Sequence, residues 1–126
     1  MDCIDTLSEA IQTRDPDLIA VPLADDVVFS SPVSHLPYIG KDLAAPALAT
    51  IIGAFDKITN INQIAGTRRG DYLLIFRGTS LRTEIICCLI AKLNKDKKVD
   101  GISLFARPLR AVIHLAEVVG NAMNQQ

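Results

Sequence analysis

The 126-residue sequence lacks a surplus of charge of either sign. Its 13 basic and 14 acidic residues leave a formal net charge of −1. Proteins that bind nucleic acid carry a concentrated basic surface that neutralises phosphates. The main basic cluster here, residues 92–98, is interrupted by Asn94 and Asp96, which favours a charged hairpin tip. We therefore expect no nucleic-acid partner.

Long apolar runs and a cysteine framework are also missing. No run approaches the ~20 apolar residues of a membrane-spanning helix, so we expect no membrane partner. The three cysteines, Cys3, Cys87 and Cys88, have no disulfide or metal-ligand spacing, so we expect no metal and no cofactor. The first residues show no basic segment followed by an apolar block. Together these absences predict a cytoplasmic protein with reduced thiols.

What the sequence has in excess is apolar residues. Hydrophobic residues make up 49% and charged residues 21%, and the mean hydropathy is +0.28. The length predicts a single domain, residues 1–126, that is large enough to bury a core. Without a membrane helix, this surplus indicates an apolar cavity, an oligomer interface or both.

The order of local signals predicts helices first and strands later. Apolar residues at helical spacing predict a helix over about residues 3–13. Asp15 followed by Pro16 is typical of the capped start of a second helix. Residues 27–29 predict a strand, and Asp42 is the expected cap of a third helix.

From residue 58 to residue 107, apolar runs alternate with turn signals, which predicts a series of antiparallel strands. A last helix is expected after Pro108 and should end at Gly120, with His114 on its surface. Its apolar face should comprise Leu109, Val112, Ile113, Ala116 and Val119. This order predicts the α+β class, with helices packed on one face of a curved antiparallel sheet.

The strand over residues 85–91, IICCLIA, is apolar on both faces. A half-exposed strand should alternate apolar and polar residues. One face can meet the helices, but nothing else in the chain is long enough to cover the other. A second copy packed sheet on sheet would cover it, so we expect a homodimer through the outer face of the sheet.

Several short motifs, in order along nearly the whole chain, resemble the NTF2-like or SnoaL-like superfamily, which includes ketosteroid isomerase. The motifs are Asp15-Pro16-Asp17, LADDVVF over residues 23–29, Ser31-Pro32-Val33, Gly40 and Arg107-Pro108-Leu109. The resemblance implies a cystatin-like, cone-shaped α+β fold in which N-terminal helices and a strongly curved antiparallel sheet enclose an apolar cavity.

The resemblance also allows the three catalytic roles of the isomerase to be checked. The general base would fall at Ser31, the oxyanion-hole tyrosine at Leu7 and the protonated aspartate at Leu89. A serine is no unaided base near neutral pH, and leucine donates no hydrogen bond; each lost donor costs about 3 kcal/mol of transition-state stabilisation. We therefore expect the isomerase catalytic set to be absent and steroid isomerase activity to be lost.

Strand alternation, combined with the resemblance, predicts which side chains face the cavity. The expected ligand-binding residues are Leu7, Phe29, Ser31, Leu74, Phe76, Cys87, Leu89, Ile102 and Leu104. Only the Ser31 hydroxyl and the Cys87 thiol are polar. The leading hypothesis is therefore a binding module for a small hydrophobic molecule, held mainly by burial; these residues could equally fill the core themselves.

Two other functions remain open at this stage. His35 and Tyr38 lie on the loop near the expected cavity mouth, and with Ser31 they could serve an isomerase, cyclase or dehydratase acting on a small carbonyl compound. A lone histidine without a placed carboxylate is more often a surface residue. The other possibility is a non-catalytic dimerisation module. The sequence does not specify the ligand.

Overall fold

The computed structural model describes residues 2–124, except for the side chains of Asn60, Met123 and Asn124. The elements, in chain order, are α1 Cys3–Thr13, α2 Pro16–Ala20, β1 Leu23–Ser30, β2 Tyr38–Ile39, α3 Lys41–Gly53, β3 Lys57–Ala65, β4 Asp71–Ser80, β5 Thr83–Leu93, β6 Val99–Arg107 and α4 Leu109–Asn124. None of the described helices is long and apolar enough to cross a membrane.

The first two helices begin where the sequence predicts. The Asp2 carboxylate accepts a hydrogen bond from the Asp5 amide at 2.8 Å and caps α1. The Asp15 carboxylate accepts from the Asp17 amide at 3.0 Å, and Pro16 occupies the first position of α2, where its missing N–H would have no helical partner. These local signals act within a few residues and need no tertiary contact.

The six strands form one sheet in the order β2-β1-β6-β5-β4-β3. Every neighbouring pair is antiparallel except β1 and β6, which run parallel. The α+β class is confirmed. The parallel pair was not predicted, because it joins two strands far apart in the sequence and leaves no local pattern.

Strict alternation along β5 separates the two faces of the sheet. Ile85, Cys87, Leu89 and Ala91 are buried, whereas the intervening side chains at 86, 88 and 90 are partly exposed. The buried face lies under the helices, and its side chains join those of α1, α3 and α4 in one apolar core. The face away from the helices is the outer face.

Two predictions about helices were wrong. The cap of α3 is Gly40, with φ of 92°, and Asp42 lies in the first turn. The last helix continues through Gly120 to Asn124, because one glycine in a helix costs only about 1 kcal/mol.

The buried stripe of α4 also differs from the expected one. It consists of Ala111, Leu115 and Val119, four residues apart, while Leu109 is 75% and Ile113 51% exposed. The helix has more apolar residues than its contact with the sheet can cover. Hydropathy alone therefore did not identify which stripe faces inward.

Candidate functional site

Most of the predicted ligand-binding residues lie together on the inner face of the sheet. Leu74 is opposite Leu89, which is opposite Leu104 on the next strand. Phe76 is likewise opposite Cys87. The predicted alternation of these strands is therefore confirmed, and they form two adjacent cross-strand rows.

The remaining apolar members join the same layer from other elements. Phe29 of β1 is opposite Ile102 of β6, and Leu7 projects from α1 into the same core. All eight members of the predicted set other than Ser31 are buried within the cluster of core side chains. Their contact with a ligand remains a prediction.

Cys87 is the one nucleophilic side chain in this layer. Burial, with a smaller contribution from the neighbouring Cys88, raises the pKa of the Cys87 thiol to about 12. A thiol is reactive as its thiolate. The Cys87 thiol is therefore protonated at neutral pH and behaves as a small apolar core group.

Ser31 lies just beyond β1 and is 9% exposed. Its Oγ accepts a hydrogen bond from the Val33 amide at 3.3 Å within the turn that follows the strand. A hydroxyl can accept and donate at once. The Ser31 hydrogen is therefore free to donate to a ligand carbonyl.

A cleft of about 400 Å³ opens beside Ser31. The ladder between β1 and β6 ends at the pair Ser30 and Ser103, but β6 continues to Arg107. One side of the last residues of β6 is therefore free of a neighbouring strand, and α4 closes the gap with Val112. Leu104, Phe105 and Ala106 supply further apolar surface. Ser31 and Leu104 are the members of the predicted set that line this cleft.

The structure does not assemble the proposed catalytic trio. His35 is exposed on the loop. Tyr38 belongs to β2, opposite Phe29, and their rings stack with centroids 5.8 Å apart. No hydrogen bond joins any two of the described side chains of Ser31, His35 and Tyr38.

A serine–histidine pair lies elsewhere, between β4 and α4. The Ser80 Oγ is 2.6 Å from the carbonyl oxygen of Ala54 and 2.7 Å from His114 Nε2, and Ser80 is 2% exposed. His114 is half-buried, so the prediction that it is a surface residue holds only in part. The pair is 34 residues apart in sequence, so only the packing of α4 against the end of β4 brings it together.

Counting hydrogens decides what this pair can do. A carbonyl oxygen only accepts, so the single Ser80 hydroxyl hydrogen is donated to Ala54. The bond to His114 must then use a hydrogen on Nε2. His114 is thus a donor to Ser80 and cannot take its proton, so the pair is a structural link between α3, β4 and α4.

The outer face of the sheet carries a central apolar row. Ile75, Cys88 and Phe105 are opposite one another on three neighbouring strands, and Phe105 is 56% exposed. At one end of this face Arg77 and Glu84 form an exposed ion pair at 3.9 Å. The face thus has an apolar centre with a charged border.

Within residues 2–124, no group of three or more histidine, cysteine, aspartate or glutamate side chains could hold a metal ion. The described polar groups near the Ser31 cleft are hydroxyls, which suit an uncharged polar atom of a ligand.

Comparison with known proteins gives matches by structure alone. Neither models of known protein families nor curated proteins match the sequence.

Three solved structures illustrate the similarity. A protein with a cystatin-like fold from Silicibacter pomeroyi aligns over 95% of this chain and 84% of its own, with 22% identity and a TM-score of 0.87. A steroid delta-isomerase from Pseudomonas aeruginosa aligns over 98% and 92%, with 24% identity and a TM-score of 0.86. An NTF2-like protein of unknown function from Cytophaga hutchinsonii aligns over 84% and 88%, with 13% identity and a TM-score of 0.62.

These identities are below 25%, so the similarities show the fold. The chain has the cystatin-like, NTF2-like fold, with helices on a curved and unclosed sheet. The resemblance noted in the sequence is confirmed at this level. Because one fold hosts many chemistries, the function must be argued from the site.

Proposed function

We propose that this NTF2-like-fold protein binds a small hydrophobic molecule in the cleft beside Ser31. The observation that carries the proposal is the combination of an apolar lining with the buried Ser31 hydroxyl, which keeps its hydrogen for a ligand; Ser30 and Ser103 add two further hydroxyls to the cleft. The volume of the cleft, about 400 Å³, falls within the range of small-molecule sites. Such sites are mostly apolar, with a few polar groups that fix the orientation of the ligand.

The proposed ligand is an uncharged carbonyl compound with an apolar body. Its body would contact Leu104, Ala106 and Val112, and its carbonyl oxygen would accept from the Ser31 hydroxyl. One hydrogen bond contributes about 1 kcal/mol, so most of the affinity comes from burial.

The site is proposed to bind without isomerase chemistry. Leu7 and Leu89 occupy the positions of the two oxyanion-hole donors in the resemblance, and neither donates a hydrogen bond. A related fold in a steroid delta-isomerase therefore does not transfer its activity to this chain. The exposed His35 gives no support to a catalytic trio.

The binding test is a thermal-shift screen with apolar ketones and their matched hydrocarbons. A ligand that binds the folded state raises the melting temperature, and the ketones should give the larger shift. Val112→Phe fills the cleft and should abolish the shift. Ile113→Phe is the matched control, because Ile113 is on the same helix but 51% exposed.

Two results would separate this proposal from the alternatives. If no ketone or hydrocarbon shifts the melting temperature, the cleft is not a binding site and a dimerisation module is favoured. If the protein exchanges deuterium next to the carbonyl of a bound ketone, an enzyme is favoured. Ser31→Thr, which keeps the hydroxyl, should retain ketone binding, whereas Ser31→Ala should weaken it several-fold.

The proposal includes a homodimer through the outer face. The row of Ile75, Cys88 and Phe105 would form the apolar centre of the contact, and Arg77 with Glu84 part of its polar border. This arrangement matches the apolar core and charged rim of stable interfaces, and a twofold axis would pack the same face of each copy.

Light scattering tests the dimer at micromolar concentration. The wild-type protein should have twice the monomer mass of 13.7 kDa, and Phe105→Glu should halve it. Leu109→Glu is the control, since Leu109 is also exposed and apolar but lies on α4. A wild-type monomer would refute this part of the proposal.

A further inference from the structure

A second cleft, of about 550 Å³, lies at the tips of two β-hairpins. We refer to it as the hairpin-tip cleft. The turn between β3 and β4 forms one side through Arg69 and Gly70. The turn between β5 and β6 forms another through Asn94, Lys95 and Lys97, and Asp2 closes the cleft at the start of α1. None of the residues that line it also lines the Ser31 cleft.

The floor of the hairpin-tip cleft is apolar. It consists of Tyr72 and Leu93, which are partly buried and packed against the core. Tyr72 is opposite the buried Ala91, and Leu93 is opposite the buried Val99. The floor is therefore a continuation of the inner face of the sheet, so an apolar group placed there would lose contact with water.

The rim carries concentrated positive charge in a chain with a net charge of −1. Arg69, Lys95 and Lys97 line the cleft against the single carboxylate of Asp2. That carboxylate already accepts a hydrogen bond from the Asp5 amide. Among the described residues, none of the three cations has an ion-pair partner within 4 Å; the pair that does form joins Arg77 and Glu84.

The backbone holds the two hairpin tips in place. The Leu93 amide donates to the Gly70 carbonyl at 2.8 Å. Gly70 has φ of +91°, and a Cβ there would lie 3.1 Å from the Leu93 oxygen, so the close approach requires glycine. The Asn94 side chain accepts from the amides of Asp96 and Lys98 at 2.9 and 3.0 Å. The backbone that carries the cations is therefore fixed before any ligand arrives.

We propose that the hairpin-tip cleft binds an organic anion. Its apolar body would lie on Tyr72 and Leu93, and its carboxylate or phosphate would face Arg69, Lys95 and Lys97. This inference goes beyond the proposed function and does not depend on it, because the two clefts share no lining residue and differ in charge. The Ser31 cleft suits an uncharged molecule and the hairpin-tip cleft a charged one.

The test uses anilinonaphthalene sulfonate, an apolar anion whose fluorescence rises on an apolar surface. Decanoate, decyl phosphate, decanol and inorganic phosphate are then added as competitors. Decanoate or decyl phosphate should displace the probe, and the better of the two identifies the preferred anionic group. Decanol lacks the negative charge and inorganic phosphate lacks the apolar body, so both should displace the probe much more weakly. Equal displacement by decanol would overturn the proposal.

Two triple variants locate the binding. Replacing Arg69 and Lys95 by glutamine and Lys97 by asparagine removes the three rim charges. Asparagine is chosen because Lys97 has a left-handed backbone with φ of 63°, which asparagine tolerates. We expect decanoate to bind about tenfold more weakly, the combined effect of three exposed charge contacts of ordinary strength.

The matched control removes three positive charges away from the cleft. It combines Lys57→Gln, Arg110→Gln and Arg82→Asn, where Arg82 also has a left-handed backbone with φ of 66°. It should bind decanoate like the wild type. Equal loss in both triple variants would mean that net charge alone governs binding and would overturn the proposal. A response to Val112→Phe would instead place decanoate in the Ser31 cleft, which also overturns it.

Discussion

The link made by Ser80 gives a quantitative prediction. Its hydroxyl joins the Ala54 carbonyl, which lies at the end of α3, to His114 of α4. Helix ends leave carbonyls without helical partners, so Ser80→Ala strands the Ala54 oxygen and a histidine N–H together. A stranded buried group costs about 1–3 kcal/mol. We expect the free energy of unfolding to fall by about 2 kcal/mol.

Urea and thermal unfolding measure this loss. Unfolding entropy is about 2.1 cal/mol/K per residue, which gives about 0.26 kcal/mol/K for the 126 residues and a melting temperature lower by about 8 °C. Ser34→Ala is the control, because the Ser34 hydroxyl donates to the Leu36 carbonyl at 3.0 Å in an exposed loop. Its effect should stay below about 0.5 kcal/mol. Equal effects of the two substitutions would refute the reasoning.

The direction of the hydrogen bond can be tested separately. Nitrogen NMR should find the hydrogen of His114 on Nε2, and a serine-reactive fluorophosphonate should leave Ser80 unlabelled. If His114 instead carries its hydrogen on Nδ1 and Ser80 reacts, the pair is a nucleophile and its base, and the structural interpretation is wrong.

Three further predictions concern packing and titration. Gly78→Ala should lower stability by about 2 kcal/mol, because the new Cβ would lie 2.6 Å from the Lys57 carbonyl oxygen and closer still to the Phe55 ring. Gly120→Ala should raise stability by about 0.8 kcal/mol, because a Cβ there meets no atom within 4 Å. Urea unfolding measures both glycine substitutions. The free energy of unfolding should fall from about pH 9 to about pH 12, by up to about 1.4 kcal/mol per pH unit, because the Cys87 thiol ionises near 9.0 when unfolded and near 12 when folded.

Each of these predictions has an outcome that would contradict it. The changes in the free energy of unfolding on Gly78→Ala and Gly120→Ala should have opposite signs. A loss of stability on Gly120→Ala would therefore contradict the prediction for that residue. For the thiol, a raised pKa means that only the unfolded state loses the proton in that window, and stability therefore falls as pH rises. Cys87→Ala should reduce this slope and leave the smaller part due to Cys88, whose pKa burial also raises. An unchanged slope would assign it to other groups.

Local patterns predicted the local features of the fold. The helix start at Asp15 and Pro16 depends on neighbours within three residues, and alternation along β5 places Cys87 and Leu89 on one face. Both follow from backbone geometry and need no knowledge of the partner element. The inner apolar layer was predictable for the same reason.

The clefts and the serine–histidine link were not predictable in this way. The Ser31 cleft exists because β1 stops pairing at Ser30 while β6 continues to Arg107, and His114 reaches Ser80 only after α4 docks. Because α4 carries apolar residues on more than one face, hydropathy could not predict which of them face inward. Such features depend on contacts between distant segments, which leave no periodic signal in the sequence.

The parallel pairing of β1 with β6 also has a consequence for synthesis of the protein. Ser30 and Ser103 are 73 positions apart (103 minus 30), so β1 emerges from the ribosome long before β6, the second of its two neighbours, exists. Val27 and Phe29 are buried in the finished fold, but they cannot reach this state before the last quarter of the chain has been synthesised. Non-local pairing of this kind slows folding and leaves apolar strands open to misassociation. The Ser31 cleft, which borders this pair, therefore cannot form until β6 and α4 have been made.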